Sequence, residues 1–482
     1  MKHILLTAWC LMAATMALAK TSISMPNNST TFKIMVISDI HLLAPSLLDD
    51  GKAAMALDAA EMKLVLDGDL IMQRMVDDII SRKPQLLLIA GDLTLNGERA
   101  SHERLAQHLG RLQQAGVRTL VIPGNHDVMC PYSKQYTGDA PAPVACVDSE
   151  EFASIYHDYG YGANSRRDPN SLSYTCEPVP GLVLLCIDSN RYAYDRDSLY
   201  YHTDGAVKPA TLDWIKQQLA EAQASGKRVI AMMHHHLLEH IDGEAKLLPN
   251  YIVAHHNDVA RVLSDGGVKV VFTGHLHITD AVASNGITDV ATGSASTYPL
   301  PMRMATIDAS LSTMTIETQF FGGLDSSIID KGRDKIEGCA PSLSAIIARR
   351  LWPLMSARLA SIEPLLVEQG IDTSCLPRKA SDVEALISKH MAKPLSQSLM
   401  MVTCGGEDPA QAAATVQAVK QGVRGMVAEV FTEGADEVSD FLFENFMPRV
   451  ENIMRSALED INGVGTPEQS STPDHSLVIG LK

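Results

Sequence analysis

Positive charge is in short supply in this 482-residue chain: 40 lysines and arginines face 57 aspartates and glutamates, a formal net charge of −17. That balance excludes an electrostatic binder of nucleic-acid duplexes, which would need a basic footprint. It leaves room for a phosphate substrate only if metal ions supply the local positive charge. Cys-x-x-Cys spacing is also absent, which removes zinc knuckles and dithiol redox motifs. Internal repeats and low-complexity tracts are missing as well. Long apolar runs are lacking except at the start, "MKHILLTAWCLMAATMALAK". There Lys2 gives a basic leader, residues 4–19 are apolar or small, and Ala17-Leu18-Ala19 fits a small-x-small cleavage site. The run is short for a membrane span, which needs about 20 residues. Residues 1–19 are therefore expected to be a signal peptide, and the mature chain periplasmic or extracellular, without stable membrane insertion. Trp9 ahead of Cys10 disfavours a lipoprotein site. Cleavage leaves seven cysteines, Cys130, Cys146, Cys176, Cys186, Cys339, Cys375 and Cys404, an odd number with at least one unpaired.

What the sequence does contain is alternation. Six short apolar runs, 32–38, 85–90, 118–123, 182–187, 228–233 and 268–273, read as buried strands. Helical periodicity at 70–82, 98–115 and 209–224 falls between several of them, implying an α/β core. Residues 281–321 carry short alternating runs with Gly and Asn breaks and read as hairpins. From about 328 to 460, apolar residues recur at three- and four-residue spacing with no strand signal, implying a separate helical domain. The final residues look like a loose tail, although "LVIGL" could dock on the rest.

Five strands run into polar clusters. "SDIH" offers Asp39 and His41, on the same side of the segment if it is extended. "GDLTLNGE" offers Asp92, and "GNHD" offers Asn125, His126 and Asp127. "MMHHHLLEH" carries His234, His235, His236 and His240, and "GHLH" carries His275 and His277. Ligands of open α/β sheets bind beyond the carboxyl ends of the strands, so these clusters converge on one rim. Each alone is a common turn; five in succession are not.

The ordered set resembles the calcineurin-like metallophosphoesterase superfamily over roughly residues 32–320. The resemblance implies a four-layer α/β/β/α sandwich at 30–322, followed here by an all-α domain at 328–462 and a tail at 463–482. It also implies two divalent transition-metal ions. One would be held by Asp39, His41, Asp92 and His277, the other by Asp92, Asn125, His275 and a histidine of the run, with Asp92 shared. The family usually shows His-His-Pro after this strand, the first histidine binding metal. That alignment picks His234, with His235 in a supporting or substrate-facing place. His236 stands where the proline belongs, which leaves His235 as the alternative ligand. His240 reads as a bystander. Two imidazoles plus oxygens at each ion suit Mn, Fe or Zn better than Ca or Mg. Two ions about 3.5–4 Å apart can clamp the attacking and leaving oxygens of an in-line displacement, the nucleophile being a bridging hydroxide. By the same resemblance His126 is the general acid and Asp127 the carboxylate that would orient its ring.

Leu95 occupies the place of the tyrosine ligand found in purple acid phosphatases, so a tyrosinate-ferric centre is not expected. The longer stretches resemble exported bacterial proteins of the cyclic-nucleotide phosphodiesterase-like type. The leading expectation is hydrolysis of a small phosphodiester. A phosphomonoesterase or nucleotidase on the same site is the alternative, and a metal-containing binding protein is the third reading. The helical domain is the expected place for interactions or oligomerisation.

Overall fold

The computed structural model describes residues 31–192, 203–368, 373–374, 376–405, 408–431, 439–440, 443–444, 447–459 and 474–482. The signal-peptide expectation, Cys10 and Cys375 fall outside the described residues.

All six apolar runs form strands. They enter two sheets whose remaining members come from residues 166–179, the hairpin region and the carboxyl terminus. The first sheet has the order β15-β14-β13-β1-β2-β3. Its strands are β1 Thr31–Ile37, β2 Leu86–Ile89, β3 Arg118–Val121, β13 Pro301–Asp308, β14 Thr313–Phe320 and β15 Ser476–Gly480. The second has the order β11-β12-β10-β9-β8-β7-β6. Its members are β6 Arg166–Arg167, β7 Tyr174–Val179, β8 Leu182–Ile187, β9 Arg228–Met233, β10 Val270–Thr273, β11 Asp280–Ser284 and β12 Ile287–Ala291. A small ribbon pairs β4 Lys134–Gln135 with β5 Ala142–Pro143. The central strands β1, β2 and β3 run parallel, as do β8, β9, β10 and β12. A parallel sheet is stable only with both faces covered, and these near-continuous apolar runs are its signature.

One apolar cluster fills the space between the sheets and beneath the helices Gly68–Arg82 and Arg99–Gln114. It joins Ile34, Val36, Leu88 and Leu120 of one sheet to Leu184, Ile230, Met232 and Phe272 of the other. A second cluster, with Ile187, Ala231, Met233 and Val271, packs under the helices Pro209–Ala224 and His256–Asp265. Successive strand residues feed opposite faces, so the runs of β8, β9 and β10 serve both clusters, while both faces of β1, β2 and β3 feed the first. The result is the expected four-layer α/β/β/α sandwich.

A helical region follows, with helices Ser326–Glu337, Ala340–Glu368, Ala380–Cys404, Pro409–Val430 and Met447–Leu458. Among the described residues, no helix is long and apolar enough to cross a membrane. The tail returns to the sandwich: β15 pairs antiparallel with β14, making "LVIGL" an edge strand rather than a loose end. The six described cysteines are unpaired, and burial raises the Cys130, Cys176 and Cys186 thiols.

Candidate metal centre

The loops leaving β1, β2, β3, β9 and β10 meet at one end of the sandwich. They do not leave as extended segments. Asp39, His41, Asp92, His275 and His277 all have positive φ, between 46° and 72°. Non-glycine residues rarely hold that conformation, and such strain costs on the order of 1–3 kcal/mol each. Side chains two apart therefore converge through two left-handed turns, not through strand alternation. Two glycines make room for the turns. A Cβ on Gly124 would lie 2.1 Å from Asp92 Oδ1, and one on Gly274 would lie 2.5 Å from Asp39 Oδ2. The glycines of "GNHD" and "GHLH" are thus fixed by the carboxylates they pass.

The convergent atoms form three overlapping groups able to hold a metal: Asp39 with His41 and His277, His41 with Asp92 and His126, and Asp92 with His234 and His275. The contacts show which ring nitrogens face inward. His41 Nε2 and His277 Nε2 approach to 3.1 Å, and His277 Nε2 is 3.3 Å from Asp39 Oδ1. Asp92 places Oδ2 at 3.5 Å from His41 Nε2 and Oδ1 at 3.4 Å from His234 Nε2, so one carboxylate faces both sides. Asn125 Oδ1 lies 3.1 Å from His234 Nε2.

Other contacts fix the tautomers. His234 Nδ1 donates to the Ala90 carbonyl at 2.8 Å, which leaves Nε2 for the centre. His275 Nε2 donates to the Asn250 carbonyl at 2.9 Å, which leaves Nδ1. His275 N–H reaches Asp39 Oδ2 at 3.0 Å and holds that carboxylate in place.

These residues fit a cation. His41 Nε2 stands 3.1 Å from His277 Nε2, which is 3.3 Å from Asp39 Oδ1, a crowding of lone-pair donors that a cation between them satisfies. Burial alone would raise the Asp92 carboxyl, but His234, His126 and His41 hold it well below the usual range. Burial would lower His234, and Asp92 and Asp39 instead carry it up to about 9. The carboxylates thus draw positive charge to His234 Nε2. Burial pushes His41 and His275 well down, leaving imidazoles that offer lone pairs.

The histidine run divides its labour. His235 is fully buried, with Nδ1 2.8 Å from Ser189 Oγ and Nε2 donating to the Thr203 carbonyl at 3.1 Å. It packs across His275 with ring centroids 4.5 Å apart, so both its nitrogens serve the wall and neither faces the Asp92 carboxylate. His236 pairs through Nδ1 with the buried Glu244 at 2.8 Å. His240, read from sequence as a bystander, is buried with Nδ1 2.7 Å from Asp280 and Nε2 3.3 Å from Asp289.

One orienting contact differs from expectation. His126 Nδ1 meets the Leu95 carbonyl at 2.8 Å and Asn96 Oδ1 at 3.0 Å, not Asp127. The Asp127 oxygens are taken by Leu93 N–H, Thr94 N–H, Thr94 Oγ–H and Gly124 N–H at 2.8–3.0 Å. Asp127 therefore ties the β2 and β3 loops together, and the role given to it as an orienting carboxylate passes to Leu95 and Asn96. Asn96 lay in plain view within "GDLTLNGE", but nothing in the sequence pairs it with His126.

The wall contains residues that no motif marks: Lys63, Thr203, Asn250, Tyr251 and, from the helical region, Arg350 and Leu399. Lys63 lies on an irregular loop, and Arg350 reads as one more polar residue of an amphipathic helix. Neither position is legible without the tertiary structure.

A two-layered sheet sandwich whose parallel strands end in overlapping Asp/His groups sharing one carboxylate defines a metallophosphoesterase, a hydrolase of phosphate esters. The sequence profile of calcineurin-like phosphoesterases matches residues 32–279, and the chain belongs to that family. Among solved structures it is similar to a dimetal phosphatase from Danio rerio, at 14% identity, covering 61% of this chain and 97% of that one with a TM-score of 0.44. It is also similar to a purple acid phosphatase from yellow lupin seeds, at 11% identity, covering 61% and 52% with a TM-score of 0.40. No curated protein matches the chain.

Proposed function

We propose that this protein is an exported, two-metal phosphodiesterase acting on a nucleotide-like or other small phosphodiester. Asp39, His41, Asp92 and His277 would hold one ion, and Asp92, Asn125, His234 and His275 the other, both Mn, Fe or Zn. The observation that carries the reading is the Asp92 carboxylate, with one oxygen turned to His41 and the other to His234. Bound ions would supply Lewis acidity and an activated water. Hydrolysis adds water across a P–O bond, so the departing alcohol must gain a proton. His126 supports that step, because carbonyl and amide oxygens at Nδ1 keep that nitrogen protonated and Nε2 becomes the exchanging atom.

Room for organic groups beside the phosphate supports a diester. The cavity over the centre is about 260 Å³, with Met62, Leu276, Ile336 and Leu399 as apolar walls. A monoesterase or nucleotidase is the second reading, favoured by Lys63 and Arg350, whose charges suit a dianion. Export is proposed from the sequence of residues 1–19 alone. Manganese-loaded protein assayed with bis-p-nitrophenyl phosphate and p-nitrophenyl phosphate tests the function. Faster turnover of the first supports the diester reading, and faster turnover of the second replaces it with the monoester one. Inertness toward both, and toward natural nucleotides, rejects both.

A further inference from the structure

The cavity above the metal centre has two owners. Its floor is His41, Asp92, Asn125, His126 and His277 of the sandwich, while Ile336, Arg350, Leu399 and Thr403 close it from the helical region. The second region is anchored where it touches the site. Two residues past His277, Thr279 N–H donates to Val402 O and Thr279 Oγ–H to Thr403 O, each at 2.9 Å. Burial, unlike a mere surface contact, makes these bonds costly to leave unmade.

The same region braces a loop of the sandwich. Lys331 of the Ser326–Glu337 helix pairs with Asp58 at 3.2 Å and Asp67 at 3.0 Å. Lys335 pairs with Asp58 at 3.3 Å and donates to the Glu61 carbonyl at 3.0 Å. Between those anchors stands Lys63, mostly buried, with its ammonium 2.8 Å from Glu61. Across the cavity Arg350 is exposed, and among the described residues no carboxylate is ion-paired to it. In a chain of net charge −17, an uncompensated guanidinium over a metal centre is out of keeping with its surroundings. The two cations line one cavity, and Tyr251 lies in the same wall. Tyr251 in turn packs against His275 with centroids 4.8 Å apart. A solvated surface arginine is the bland account, but it does not explain why the residue shares a cavity with Asp92 and His126.

We infer that Lys63 and Arg350 hold a second anionic group of the substrate, whose first phosphate lies on the metal centre. The substrate class is then small phosphoesters carrying a further carboxylate or phosphate on the organic part. The helical region acts as a selecting wall, because it supplies one cation and braces the loop bearing the other. This rests on the phosphoesterase reading above and narrows it. Guanidinium and ammonium groups both recognise such anions, the guanidinium through two parallel hydrogen bonds.

Non-hydrolysable probes separate this inference from the function itself. Phenylphosphonate, para-carboxyphenylphosphonate and para-phenylenebisphosphonate are titrated calorimetrically into manganese-loaded protein, with metal content measured alongside. The two-anion probes should bind about tenfold tighter than phenylphosphonate, the scale of one charge-assisted contact. Arg350→Ala and Lys63→Met should each shrink that ratio about fivefold or more, with Arg350→Lys keeping part of it. The carboxylate and bisphosphonate arms show which anion is preferred. A wild-type ratio near one overturns the inference, as does a ratio that Arg350→Ala and Lys63→Met leave unchanged. Turnover of aryl phosphates without the ratio leaves the phosphoesterase reading standing alone. A ratio lost in the variants, in a protein inert to every phosphoester, rejects the function and keeps the anion site.

Discussion

Two groups of histidines and carboxylates lie side by side in this protein, built partly from the same nine residues, and they behave as opposites. At the rim, imidazole nitrogens point at one another: His41 Nε2 and His277 Nε2 stand 3.1 Å apart, and Asp92 is flanked by His41, His126 and His234. Just behind it, His236 pairs with Glu244, and His240 lies between Asp280 and Asp289. Asp289 is further satisfied by the N–H groups of Leu237 and Leu238 and by Thr273 Oγ–H. In the second group each histidine meets an acid through Nδ1, although His236 Nε2 is buried without a hydrogen-bond partner. The first is open, its nitrogens sharing a space able to hold a cation. Backbone strain follows the same division. Five rim residues have positive φ, while none of the five in the second group does. Residue type therefore does not distinguish a metal centre from a buried ion-pair network; whether the imidazoles converge on one another or each meet a carboxylate does.

The difference can be broken from either side. Asp92→Asn should have the largest effect on turnover, cutting it by orders of magnitude and lowering occupancy at both metal positions. Elemental analysis and aryl phosphate hydrolysis check this, and two retained metals with normal turnover would remove Asp92 from the shared place. His126→Ala should keep both metals and slow substrates with poor leaving groups by about 10²–10⁴, the usual range for a general acid. Activated aryl phosphates should suffer less. An equal loss across leaving groups would mean that His126 is not the proton donor.

His234→Ala should empty the second position while His235→Ala leaves metal content near wild type, since both His235 nitrogens are engaged with Ser189 and Thr203. The reverse outcome would shift the ligand by one residue. His240→Ala should touch metal content least. It strands Asp280 and Asp289, and breaking such a buried pair costs about 3–5 kcal/mol of stability. Burial disfavours the charged His240 ring, but Asp289 and Asp280 raise its pKa well above 6.5. A raised folded-state pKa stabilises fully below the unfolded value, and that stability is lost as pH rises through the folded value. The urea midpoint gap between wild type and His240→Ala should therefore be widest below about pH 6.5 and narrow in alkaline buffer. A gap independent of pH would remove the charge of His240 from the account.

Much of this was legible in the sequence because the information is local. Each ligand loop directly follows an apolar strand, and a strand end fixes where its next residues go; "GNHD" and "GHLH" even carry the glycines their carboxylates require. What failed to show was contact between distant segments. "HHH" looks uniform in one dimension, yet His234 meets Ala90 and Asn125, His235 meets Ser189, and His236 meets Glu244. His236, standing where the family has a proline, is buried against a buried acid and belongs to the folding energetics. Asp127 invited pairing with its sequence neighbour His126, but four donors on two loops claim it instead. Lys63 and Arg350 gave no signal, because their meaning depends on a helical region folding back over the rim.

Metal stoichiometry with reconstitution tests the open-group assignment most directly. Protein stripped with chelator and dialysed against manganese should take up two ions per chain and recover phosphoester hydrolysis in step with the second. Asp92→Asn should fail at both, whereas His240→Ala, assayed while folded, should match wild type. Full activity in the metal-free protein, or two ions bound by Asp92→Asn as tightly as by wild type, would contradict it.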